Sequence, residues 1–198
     1  MKRIGDSSED EMILAFLQAE IDSDKRRQQI KQVLESLKCD ESIIREGDIT
    51  NKLENSLRRV LLDYRGFRFH DLLFNGFPED VQWEVYNFTL NELEDFYYIR
   101  SLEFCEFTHD TRKIKDSVSA ILKNIGRPQT INDFQGAITA LKSGKIFPHA
   151  IAVTDKTRIV LLEGHKRITA YCYLNGQCEY QPKFILGYSS NIHKWNFF

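Results

Sequence analysis

The chain has 198 residues, of which 42% are hydrophobic and 28% charged, and a formal net charge of −2. That length supports one or two domains with a core large enough to need no disulfide or metal staples. The composition excludes collagen-like, low-complexity and wholly disordered classes. No apolar run approaches the roughly 18–20 residues of a membrane span, and no apolar segment follows the basic start as in a secretory signal. A cytoplasmic protein without a membrane partner is therefore expected.

The small net charge hides a strong polarity. Residues 1–110 hold 14 Lys/Arg against 24 Asp/Glu, whereas residues 111–198 hold 13 against 5. The basic part can attract nucleotides, nucleic acid or an acidic partner, including the acidic part of the same chain or of a homodimer mate. The acidic region is expected to face the basic one and to leave a positive cleft around Lys166 and Arg167. The four cysteines (39, 105, 172, 178) form no CxxC pair, and no histidine brackets them at zinc spacing. They read as free thiols, with no metal site.

In chain order, residues 9–38 carry two helical periods, Met12/Ile13/Phe16/Leu17 and Ile30/Val33/Leu34/Leu37, with Ser23 and Asp24 as caps between them. A third helix starts at Thr50 with Leu53, Leu57, Val60 and Leu61 on its apolar face, so Lys52, Glu54, Arg58 and Arg59 fall on a solvated face. Residues 64–80, rich in aromatics, glycine and turn formers, read as irregular or a short hairpin, with a boundary near Gly76–Asp80. Val81–Phe88 alternates as a strand, and Thr89 with Glu92 spells a capping box. A helix over 110–125 stops at Gly126 and Pro128, and Thr130/Asp133 open another that ends at Gly144. Then the period changes. Ala150–Val153 and Arg158–Leu162 read as short strands around the turn Thr154-Asp155-Lys156, Ile168–Leu174 as helix and Glu179–Leu186 as a last strand. The apolar tail 191–198 packs back on the sheet, or presents Trp195 for stacking on a base.

The reading is α+β: a helical N-terminal region (1–78), then a small mixed sheet flanked by helices (79–198). One junction concentrates chemistry. A buried strand runs into Gly164, and a helix follows at once with His165, Lys166 and Arg167 in its first turn. Unpaired amides and the dipole at a helix start favour anions, so a basic first turn is locally unfavourable by a few tenths of a kcal/mol per charge unless an anion sits there. Phosphate is the expected anion; a solvated basic turn is the alternative.

Glu163-Gly164-His165-Lys166-Arg167, followed by Thr169-Ala170, resembles the signature of the ParB/sulfiredoxin-like superfamily, a glycine, two variable residues and an arginine, commonly followed by an alanine, at a strand-to-helix junction. The resemblance extends to the strand at Pro148–Val153 and, more weakly, over about the last 115 residues. It implies a cradle for a nucleoside triphosphate, CTP in the chromosome-partitioning members and ATP in sulfiredoxin, and ATP or ADP in free-serine kinases, with or without Mg²⁺. By position, Gly164, His165, Lys166, Arg167 and Thr169 would hold phosphate, with Arg167 the principal contact. Glu163 would be a base or magnesium-associated ligand, or a carboxylate that pairs with Arg167; His165 is the other catalytic candidate. Sulfiredoxin needs a cysteine directly after the glycine, and His165 stands there, so reductase chemistry is not expected. The partitioning proteins follow this domain with a helix-turn-helix module, which is not expected in the roughly 30 residues after the motif. His149 could line the same pocket, and Arg112, read at the opening of a helix, could reach a phosphate. The resulting expectation is a nucleotide-binding protein, a phosphotransferase or NTP-dependent switch; the alternatives are a DNA- or RNA-associated protein or ParB-like nuclease, and a non-catalytic scaffold.

Overall fold

The computed structural model describes every residue except Asp24; the expected cap at that position lies outside the described residues. Among these, the strands form one mixed α+β sheet in the order β1-β2-β5-β3-β4. The strands are β1 (Lys2–Asp6), β2 (Gln82–Asn87), β3 (Ala150–Thr154), β4 (Ile159–Glu163) and β5 (Lys183–Tyr188). All neighbours are antiparallel except β3 and β5, which run parallel with Ile151 opposite Ile185. Alternation sends the side chains of each strand to two cores. Trp83, Ile151, Val153, Val160, Leu162 and Ile185 join one, and Ala150, Ala152, Leu161, Phe184 and Leu186 join the other.

The first core is closed by the N-terminal helices α1 (Glu9–Glu20), α2 (Arg27–Leu37), α3 (Ser42–Arg45) and α4 (Lys52–Leu61). Ser8 opens α1 with a full capping box to Glu11, and Asn51 caps α4 by accepting from the amides of Leu53 and Glu54. The second core is closed by α5 (Leu90–Glu94), α6 (Leu102–Phe107), α7 (Ile114–Leu122), α8 (Pro128–Lys142) and α9 (His165–Tyr173). The capping box read at Thr89/Glu92 is present at the start of α5. The tail packs inward as expected: Ile192, Trp195 and Phe198 are buried, and Trp195 Nε1 donates to the Leu73 carbonyl at 2.7 Å. Its indole is therefore not presented to a base.

Several expectations are corrected. The N-terminal region is not wholly helical, because Lys2–Asp6 pairs antiparallel with β2. Its sequence, KRIGD, lacks apolar alternation because the strand is an exposed edge whose partner lies about 80 residues away. The α4 face is rotated from the expected one: Leu53 is 70% exposed, while Arg58 is wholly buried. Helix α7 starts at Ile114, preceded by α6 and by His109, Asp110 and Arg112 at positive φ. Pro128 opens α8 rather than ending its predecessor, since the missing N–H costs nothing in a first turn. Helix α2 has no side-chain cap, so Ser23 does not serve that role. The last strand begins four residues later than the alternation suggests, at Lys183.

Candidate functional site

The junction at Gly164 adopts the backbone the sequence requires. Gly164 is the N-cap of α9 with φ +103°, a conformation that side chains disfavour. A Cβ added there would stand 3.1 Å from the Ala150 Cβ and 3.3 Å from the Arg167 guanidinium carbon. The glycine thus serves both the turn and the approach of Arg167 to the backbone. The amides ahead of Ile168, whose N–H bonds the Gly164 carbonyl at 3.0 Å, have no helical acceptor and face the space beyond the helix start.

That space is a cavity of about 390 Å³ lined by Glu163, Gly164, His165, Lys166 and Arg167. Further lining comes from elements the sequence did not link to the motif: Glu20 at the end of α1, Ser23, Lys25 and Arg26 before α2, and Arg65 after α4. Asp133 of α8, with Lys145, Phe104 and Phe147, completes it. Among the described residues, six cationic side chains and three carboxylates line the cavity. Cations thus outnumber carboxylates around the expected cleft, but Lys166 and Arg167 themselves are not left uncompensated, since each is paired with a carboxylate. Beyond the cavity, Asp95 pairs with Lys113 and Lys115, and Glu106 with Arg127, so acidic and basic regions do meet.

The basic first turn is partly compensated by protein carboxylates. Arg167, with its side chain 6% exposed, pairs with Glu163 at 2.6 Å and donates from Nη2 to the His149 carbonyl at 2.9 Å. Lys166 pairs with Asp133, which also accepts from Lys25 at 3.3 Å. Burial works against the Asp133 carboxylate, but its bonds from Lys166, Gln129 and Lys25 hold its pKa below the ordinary range. These pairings leave Arg167 Nε buried without a hydrogen-bond partner, while Glu163 Oε2 is taken up by the Arg167 ion pair.

Glu20 accepts from the Tyr64 hydroxyl and lies 3.6 Å from Arg65 Nε, itself buried and without a hydrogen bond. Burial raises the Glu20 pKa, and the Glu163 charge adds to the rise against the opposing fields of Arg65 and Arg26. His165 is partly buried, stacks on Phe104 with centroids 4.9 Å apart, and places Nε2 3.0 Å from the Leu161 carbonyl. Because that partner is an acceptor, Nε2 carries the proton. Burial pushes its pKa down to about 3, with the charges of Arg167, Arg65 and Lys166 acting in the same direction. The ring is neutral at physiological pH and too weakly basic to serve as a general base there.

The remaining sequence candidates fall elsewhere. The Thr169 hydroxyl is fully buried, donating to the His165 carbonyl at 2.8 Å and meeting Tyr98. His149 contributes its carbonyl to Arg167, while its half-buried ring lines smaller cavities beside Pro148; burial and then Lys183 lower its pKa. Arg112 does not reach the cavity. It is buried, donating from Nη1 to the carbonyls of Tyr98 at 3.2 Å and Phe198 at 3.4 Å. Missed residues such as Glu20 and Arg65 had no local signature; the run Lys25-Arg26-Arg27 inside an acidic region was the one legible sign. Comparisons with protein-family models, with curated proteins and with solved structures find no match.

Proposed function

We propose that the chain is a nucleoside triphosphate-binding protein of ParB/sulfiredoxin-like fold, holding the phosphates of ATP or CTP at the Gly164–Arg167 junction. The observation that carries this reading is Arg167, a guanidinium nine-tenths buried, lining a cavity with six cationic side chains against three carboxylates. That excess of positive charge favours an anion, and a guanidinium matches phosphate oxygens in a bidentate fork. The amides at the start of α9 add fixed donors and a dipole of the right sign. Glu163 acts as the carboxylate that orients Arg167, and His165 as a neutral wall of the cavity, not as a proton carrier. A nucleotide-dependent switch needs no more than this; a phosphotransferase would need a base among the carboxylates.

Among the described residues, no group of three or more His, Cys, Asp or Glu is arranged to hold a metal. Magnesium would accordingly travel on the phosphates of the nucleotide, as is usual for that ion. The competing reading is a scaffold in which Glu163–Arg167 is only an internal clamp, which the 2.6 Å pair favours. A thermal-shift series with ATP, CTP, GTP and UTP, each with and without Mg²⁺, tests the proposal. A ligand bound to the folded state alone raises Tm, and no rise with any of these nucleotides at millimolar concentration would refute it.

A further inference from the structure

Arg65 and Arg167 both line the cavity, and each keeps a buried Nε without a hydrogen bond. Arg65 and Arg167 reach it from distant segments of the chain, and each stands beside one carboxylate: Arg167 at 2.6 Å from Glu163, Arg65 at 3.6 Å from Glu20. The Arg65 contact is too long for a hydrogen bond. Its side chain is held instead by burial and by the Phe16 ring, 5.9 Å from the guanidinium carbon. Both guanidinium groups share the cavity lining with the start of α9.

We infer that Arg65 is a second phosphate-binding guanidinium, supplied by the N-terminal region, so that the site selects anions of two or three linked phosphates over a single one. This rests on the proposed phosphate site and adds a residue outside the motif. A single phosphate at the α9 amides and Arg167 engages only part of the cationic lining; a longer polyphosphate can also engage Arg65 and Arg26, which line the same cavity. A fork of donors with an unbonded Nε suits a phosphate oxygen better than the distant Glu20 does. Ligand binding would then fasten the N-terminal helices to the sheet through the ligand itself.

The test is calorimetric titration of the full chain with inorganic phosphate, pyrophosphate and triphosphate, for wild type, Arg65→Gln and Arg65→Lys. Wild type should bind triphosphate at least tenfold more tightly than phosphate. Arg65→Gln should lose about tenfold in triphosphate affinity, little in phosphate affinity, and so most of the preference; Arg65→Lys should keep part of it. Melting curves of the same samples establish that the variants are folded, and Arg65→Lys carries the test if Arg65→Gln is not. A wild type that prefers triphosphate, with both variants retaining the full preference, would overturn the role of Arg65 and leave the phosphate site standing. A wild type that binds none of the three anions would remove the phosphate site, and this inference with it.

Discussion

Two buried arginines, one in each part of the molecule, show how the same side chain can close a fold or open a site. Arg58 in α4 is fully buried, and its terminal nitrogens donate to the carbonyls of Ile43 and Asp48 at 2.8 Å each, to Glu54 at 2.9 Å and to Asn55. Every one of those acceptors belongs to the segment 43–55 that precedes or begins its own helix, so the guanidinium stitches a loop. Arg167 has one such carbonyl, one carboxylate and a cavity in front of it. Both leave Nε unbonded. The difference is that the donors of Arg58 are enclosed by protein, whereas those of Arg167 border a space whose walls carry an excess of positive charge. Donors closed on protein acceptors serve structure; a guanidinium that lines a cavity with excess cations is the kind the proposed phosphate site requires.

The comparison breaks most visibly at Arg58. Arg58→Ala strands Glu54 and two loop carbonyls and should lower stability by about 3–5 kcal/mol in urea denaturation; a loss under 1 kcal/mol would contradict the enclosed role. Gly164→Val should cost about 1–3 kcal/mol through its positive φ and also abolish nucleotide binding by displacing the Arg167 guanidinium. Arg167→Ala should cost about 1–3 kcal/mol, because Glu163 loses its partner. Adding Glu163→Gln to that variant should recover part of the stability but none of the binding, which separates the clamp from the contact.

How much of this was legible follows the range of the interactions. The strand–glycine–helix junction, the Thr89/Glu92 capping box, the alternation of β2 and the short apolar runs of β3 and β4 are encoded within a few residues, and they were readable. The edge strand Lys2–Asp6 was not, since its pattern lies in its partner β2. The burial of Arg58 was masked by charge: a helix face with Arg58 reads as solvated until the acceptors of residues 43–55 are folded against it. The site divided the same way, with Gly164–Arg167 visible as a motif and Arg65, Glu20 and Lys145 recruited from segments that carry no phosphate-binding pattern. Arg112 misled because cationic residues near a basic region resemble ligand contacts, whereas its donors are consumed by Tyr98 and Phe198.

Smaller effects sharpen the picture. The folded-state pKa of His165 lies near 3, below its ordinary 6.5, so the unfolded chain binds more protons between those values. Stability is then full above about pH 6.5 and falls as pH drops through that window, with a loss of about 1 kcal/mol between pH 7 and 5.5 from this residue. Comparing wild type with His165→Gln by thermal melts across that range isolates the contribution; equal pH dependence in both would contradict the buried neutral ring. Lys25, more than half exposed, pairs with Asp133 at the rim of the cavity. Lys25→Ala should change stability by less than about 0.5 kcal/mol, measured by the same denaturation.

The most direct measurement is calorimetric titration of ATP and CTP, with Mg²⁺, into wild type and Arg167→Ala, with melting curves of both. The account predicts that wild type binds at least one of the two, and that Arg167→Ala weakens that binding tenfold or more while lowering Tm. A wild type that binds neither nucleotide, together with a lowered Tm in Arg167→Ala, would show that the Glu163–Arg167 pair serves the fold alone and would contradict the phosphate site.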